Sequence, residues 1–147
     1  MVQNYLFVCQ VNKFRSPYAA EWLKDYCAEN KIDANVKSAG LESTHTIKLT
    51  QEHVDWADTL LVMEKYMKKA VANNFYVQKS KKIINLNIPD IFTWVRQTEA
   101  PYNPDVNPKK AVKILKKGFK KYKYRRKFNT DFLHKVLEGK LERIIKK

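Results

Sequence analysis

The chain has 147 residues, enough for one domain with a buried core and too few for two comfortable ones. Its 29 Lys/Arg against 15 Asp/Glu leave +14 at neutral pH, a field that attracts anions: nucleic acid, acidic lipid or acidic protein. Two cysteines exclude a disulfide framework, and apolar runs of about five residues exclude a membrane helix, which needs about 20.

The opening residues, MVQNYLFVCQ, carry no basic leader and too short an apolar run for a secretory signal. A protein of the reducing cytoplasm is therefore expected. Residues 4–8 (NYLFV), short, aromatic and β-branched, predict a buried strand. Residues 16–30 predict a helix with Ser16 as N-cap and Pro17 at the first helical position. Its stripe is Tyr18, Trp22, Leu23, Tyr26 and Cys27. A second strand is expected over 35–39, ended by Gly40, and then a polar loop over 41–49. A short helix capped by Thr50 should follow to residue 57. Residues 59–63 (TLLVM) predict a strand, 64–75 a helix and 82–86 (KIINL) a fourth strand. This alternation means an α/β fold: a parallel sheet with helices on both faces, in three layers.

After residue 87 the composition changes. NIPDIFTWVRQTEAPYNPDVNP is rich in Pro and Asn and predicts mostly loop. The next stretch, PKKAVKILKKGFKKYKYRRKF, is basic, with Val112, Leu115, Phe119 and Tyr122 on one stripe and Gly118 interrupting it. Residues 130–147 predict a helix whose apolar face carries Phe132, Leu133, Val136, Leu137, Leu141, Ile144 and Ile145. Residues 109–147 hold 16 Lys/Arg and 3 Asp/Glu, so nearly all of the excess charge lies there. The organisation expected is a single domain over 1–147: a core over 1–92 and a basic, mostly helical extension over 93–147 packed on it. Lys/Arg interleaved with Phe and Tyr can track a phosphate backbone and stack bases, or lie on an anionic membrane. A solvated basic surface is the plainer alternative.

The stretch CQVNKFRSP (9–17) carries the chemistry. Ligands of parallel α/β folds bind at the carboxyl ends of strands, and Cys9 ends one. The loop from 10 to 15 leads into a helix N-terminus, so its N–H groups can form an anion nest. Arg15 adds a planar fork that holds two phosphate oxygens at once. The same field favours a thiolate, the attacking form of cysteine. One loop would bind a phosphate and aim a nucleophile at it.

YLFVCQVNKFRSPYAAEWL, followed in order by SAG at 38–40, WADTLLVMEKYMKK at 56–69 and LNIPD at 86–90, resembles the low-molecular-weight protein tyrosine phosphatase family. The resemblance spans about residues 4–92. It implies a central four-stranded parallel sheet of flavodoxin-like, phosphotyrosine phosphatase I type, to which the residue pattern adds helices at the C-terminus. It also implies metal-free and cofactor-free hydrolysis of phosphate monoesters through a phosphocysteine. Matched by position, Cys9 is the nucleophile, Arg15 binds the phosphoryl oxygens, Ser16 bonds the thiolate and Asn12 holds the loop. Asp90 matches the general acid and base, with Asp105 as the second candidate. Gln10, Val11, Lys13, Phe14 and Phe92 complete the expected substrate-binding set, and Phe92 with Trp94 can wall an aromatic ring.

This sequence departs from the family's pattern at several positions. Val11 stands where glycine is usual, and Ile91-Phe92 replaces Pro-Tyr. Phe14 stands where a second cysteine is usual, so no vicinal disulfide can shield Cys9, and an aromatic there resembles a shorter microbial subgroup. Lys13 replaces an aliphatic residue and favours an acidic flank on the substrate. Cys27 reads as core packing. His45, His53 and His134 show no metal-ligand spacing. The expected partner is a phosphorylated substrate, a protein, met by a monomer. Phosphotyrosine, phosphoarginine, phosphoinositide and nucleotide phosphates all stay open. A polyanion through residues 109–147 is a further partner. The alternative function is an inactive phosphate-, nucleic-acid- or anionic-lipid-binding module of the same fold.

Overall fold

The computed structural model describes residues 2–10, 15–42, 47–88 and 133–145. Among these residues, four strands and four helices follow in the order β1 (Gln3–Cys9), α1 (Arg15–Glu29), β2 (Ala34–Gly40), α2 (Gln51–Trp56), β3 (Thr59–Val62), α3 (Lys65–Asn74), β4 (Lys82–Asn85) and α4 (His134–Ile145). Each element predicted before residue 87 is present within two residues of its expected ends. The loop expected from 89 onward, the basic segment, and residues 130–132 and 146–147 of the last helix lie outside the described residues.

The strands form one parallel sheet in the order β2-β1-β3-β4. The chain steps one way from β1 to β2 and then crosses back to β3 and β4. Parallel crossovers are right-handed, so α1 covers one face while α2 and α3 cover the other. The expected three-layer α/β architecture is thereby present. β1 lies between β2 and β3, the place where the strand order reverses, and its carboxyl end opens on the crevice where such sheets bind ligands.

The core follows from the pattern of the strands. Leu6, Phe7 and Val8 of β1 and Leu60, Leu61 and Val62 of β3 are wholly buried, as strands covered on both faces must be. Each such side chain contributes about 1.5–3 kcal/mol by leaving water. α1 turns Ala19, Ala20, Leu23 and Cys27 inward. Tyr18, Trp22 and Tyr26 are only partly covered, and Trp22 stacks on Tyr26 with ring centroids 5.1 Å apart. α4 closes the fold through Leu133, Leu137 and Leu141, with Val136, Ile144 and Ile145 partly buried beside them. It packs on the α1 side, where His134 meets Trp22 edge-on. It is also tied to the sheet, because the Lys140 ammonium donates to the Leu86 carbonyl.

One local expectation is corrected. Ser16 is not the N-cap of α1. The helix already includes Arg15, and Ser16 is its second residue, wholly buried with its hydroxyl turned to Cys9. The Thr50 cap is as expected: its hydroxyl accepts from the His53 N–H while His53 Nδ1 accepts from the Thr50 N–H.

Candidate active site

β1 carries Cys9 to its carboxyl end at 3 % exposure. The main chain there is fixed from the β2 side: the Leu41 N–H donates to the Cys9 carbonyl at 2.9 Å and the Glu42 N–H to the Gln10 carbonyl at 2.8 Å. These bonds extend the β1–β2 ladder beyond the sulfur, so the thiol sits on rigid backbone rather than on a loose loop.

Cys9 Sγ lies 2.9 Å from Ser16 Oγ, a hydrogen bond in which either atom can donate. With a thiolate at Cys9 the hydroxyl becomes the donor, and a charge-assisted bond of this kind is stronger than a neutral one. The bond joins the end of β1 to the first turn of α1 across seven residues. It also explains why the hydroxyl does not cap the helix: a buried sulfur claims it instead.

Arg15 is a buried cation, 7 % exposed, and a buried charge needs partners. It has two. Its Nη1 donates to Glu64 Oε2 and to the Ile88 carbonyl, both at 2.8 Å. Glu64 follows β3 and precedes α3, so the neighbouring strand delivers a carboxylate to the arginine. Ile88 arrives by a different route. After β4 the chain turns through Asn87, which takes a left-handed φ of 52° that asparagine tolerates better than most residues. Asn85 Oδ1 accepts from the Asn87 N–H and its Nδ2 donates to Asn87 Oδ1, which holds the turn. The Ile88 N–H then donates to the Met63 carbonyl, while the Ile88 carbonyl faces Arg15. The ends of two strands, β3 and β4, thus supply acceptors to one guanidinium.

Of the residues singled out in the sequence, the structure brings Cys9, Arg15 and Ser16 together. Gln10 directly follows the sulfur, and its Oε1 accepts from the Tyr66 hydroxyl at 2.9 Å. Val11, Asn12, Lys13, Phe14, His45, Asp90, Phe92, Trp94 and Asp105 lie outside the described residues. Sequence reasoning passed over Glu64 and Tyr66. A signal for Glu64 was available, because it follows a buried strand at the same end of the sheet as Cys9.

The remaining candidates behave as packing groups. Cys27 faces the core from the far part of α1, and burial pushes its thiol pKa up. Burial, aided by Lys37 and opposed by Glu52, lowers the His53 pKa. Among the described residues no three His, Cys, Asp or Glu side chains cluster as a metal site. No helix among them is long and apolar enough to cross a membrane.

Residues 4–54 match the family model described as low molecular weight phosphotyrosine protein phosphatase. Among curated proteins none matches the chain. Solved structures with the same fold include a YwlE mutant from Bacillus subtilis, at TM-score 0.64 and 20% identity over 99% of each chain. The low molecular weight protein tyrosine phosphatase from T. tengcongensis gives TM-score 0.61 at 19% identity, over 96% of this chain and 99% of that one. The YwlE arginine phosphatase from Geobacillus stearothermophilus gives 0.52 at 21%, over 97% and 94%. At such identities the structures speak for the fold, and the family model speaks for the segment that holds Cys9, Arg15 and Ser16. The chain thus has the fold of these phosphatase structures, and over residues 4–54, which hold Cys9, Arg15 and Ser16, it is similar to the low molecular weight phosphotyrosine protein phosphatases.

Proposed function

We propose that the protein hydrolyses phosphate monoesters of the phosphotyrosine type through a phosphocysteine at Cys9. The observation that carries this reading is the buried cluster at the end of β1: Cys9 bonded to Ser16, beside an Arg15 whose orientation two acceptors hold. Nη1 spends its two N–H groups on Glu64 and Ile88. The Nε and Nη2 edge would take two phosphoryl oxygens in parallel, the geometry at which arginine excels. The residues between Gln10 and Arg15 would supply N–H groups to the third oxygen.

The Cys9 thiolate attacks phosphorus, an S–P bond forms and the bond from phosphorus to the leaving oxygen breaks. Asp90, two residues beyond Ile88 in the chain, protonates that oxygen. Asp90 then takes a proton from water, which attacks phosphorus, breaks the S–P bond and releases inorganic phosphate with the thiolate restored. Asp105 is the second candidate for the acid. Gln10, Val11, Asn12, Lys13, Phe14, Ser16 and Phe92 would line the phosphate and its leaving group, with the whole chain acting as one domain and one monomer in the cytoplasm. The substrate would be a phosphoprotein. Phosphoarginine joins phosphotyrosine on the panel because a fold neighbour is described as an arginine phosphatase.

The deciding experiment is hydrolysis of an aryl phosphate by the full chain and by Cys9→Ser. Turnover should vanish in the variant while its fold and phosphate binding stay close to the wild type. Full activity in Cys9→Ser removes the phosphocysteine mechanism, and phosphate binding without turnover by the wild type favours the inactive module. Asp90→Asn should slow alkyl phosphates more than activated aryl phosphates, because a basic leaving group needs the proton most. A harmless Asp90→Asn beside a damaging Asp105→Asn reassigns the acid.

A second, separate reading concerns residues 109–147, whose 16 Lys/Arg against 3 Asp/Glu favour polyanion binding. Affinity for RNA, DNA or anionic vesicles should fall steeply with salt, as counterion release requires. Equal weak binding by a variant with Lys116, Lys117, Lys120, Lys121, Arg125 and Arg126 changed to Gln leaves only a solvated basic surface.

A further inference from the structure

The start of α3 reaches both ends of the segment that would hold the phosphate. Glu64, directly before the helix, pairs with Arg15 at the far end. Tyr66, its second residue, donates to Gln10 Oε1 at 2.9 Å at the near end, one position after the nucleophile. The two contacts span 49 and 56 residues of sequence, so they record tertiary placement rather than local turn chemistry. The Tyr66 ring is 50 % exposed. Gln10 is held from two sides: its carbonyl by Glu42 of the β2 edge, its side chain by α3.

We infer that Tyr66 is a positioning residue for the phosphate loop. Its hydroxyl acts through Gln10 to fix the Cys9 end of the loop, as Glu64 fixes the Arg15 end. The inference rests on the phosphatase reading above, specifically on the part of it that seats a phosphate between residues 10 and 15. N–H donors held in place before an anion arrives would cost less to order on binding and would meet the transition state in place. Removing the Tyr66 hydroxyl returns Gln10 Oε1 to water at an exposed site, so the fold should hardly change. The loop, however, would start from a mobile residue. Phosphate affinity and kcat/KM should then fall by about three- to tenfold, the worth of one net hydrogen bond.

The test uses four full-length proteins: wild type, Tyr66→Phe, Gln10→Ala and the double variant. Three quantities are read: the protection that inorganic phosphate gives Cys9 against iodoacetate, kcat and KM for an aryl phosphate, and the melting temperature. Each single variant should need about three- to tenfold more phosphate for half protection and should raise KM more than it lowers kcat. The effects of the two single variants should fall short of adding in the double variant, because both remove the Tyr66–Gln10 bond. Melting temperatures should stay together. A Tyr66→Phe protein equal to wild type, or single effects that multiply in the double variant, overturns the inference. Turnover without a Tyr66 effect sinks the inference and leaves the phosphatase standing. Coupled protection effects without any turnover do the reverse. Failure of phosphate to protect wild-type Cys9 overturns the inference together with the phosphate loop.

Discussion

Replacing Glu64 with alanine tests whether the Arg15 pair organises the site. The Arg15 side chain is 8 % exposed and that of Glu64 28 %, with Nη1 and Oε2 2.8 Å apart. Removing one partner of a fully buried pair costs about 3–5 kcal/mol, because the other charge stays buried and unpaired. Here Glu64 opens partly to water, which can enter the space it leaves, and Arg15 keeps the Ile88 carbonyl. The loss should therefore be smaller, about 1–3 kcal/mol, or about 2–4 °C of melting temperature per kcal/mol in a chain of this size. Glu64→Gln keeps an acceptor oxygen and loses only the charge, so it should fall between wild type and Glu64→Ala. Urea unfolding of the three proteins at fixed salt measures the stability term. Aryl phosphate kinetics on the same samples should show kcat/KM falling by about tenfold for each 1.4 kcal/mol by which the guanidinium is released from its productive orientation. If both variants unfold within about 0.3 kcal/mol of wild type and keep its kinetics, within the additivity error of such measurements, the pair does not hold Arg15 and the argument fails.

Gly139 lies inside α4, and a Cβ built there meets nothing within 4 Å. Gly139→Ala should therefore stabilise the protein by about 0.5–1 kcal/mol in a melting or urea experiment. Neutral His53 closes the Thr50 capping box through Nδ1, and its lowered pKa means that the unfolded chain takes up the proton first. Stability should be fully present above the ordinary histidine pKa and decline as pH falls below it towards the folded value. His53→Gln, which keeps the capping acceptor, should flatten that slope in urea titrations across mildly acidic pH. Peroxide should oxidise Cys9 without linking it to Cys27: Cys9 touches Ser16, and about 16 Å of helix separates Ser16 from Cys27, against a disulfide Cα limit of about 7 Å. Peptide mapping that finds an abundant Cys9–Cys27 bridge in the folded protein would contradict this placement.

What was legible in the sequence up to residue 88 was whatever local chemistry decides. Short runs such as YLFV and TLLV form strands because they are apolar, β-branched or aromatic and closely bounded. Thr50 caps α2 because a hydroxyl three residues before a free N–H can reach it. The alternation of these elements sufficed for a parallel sheet, and the spacing of Cys9, Arg15 and Ser16 pointed to one phosphate-binding loop, since those residues are joined by a few bonds of chain.

Tertiary structure decided the rest. Ser16 had two partners of similar chemical merit, the helix N-terminus and the Cys9 sulfur. Only the docking of α1 against the end of β1 chose the sulfur. Glu64, Tyr66 and Ile88 reach the site from 49, 56 and 73 residues away, because β3 lies beside β1 and the Asn87 turn brings the chain back across the sheet. No periodicity encodes such meetings. Local propensity depends on neighbours within a turn or two, whereas the partners of a buried arginine are set by which strand ends the sheet order places around it.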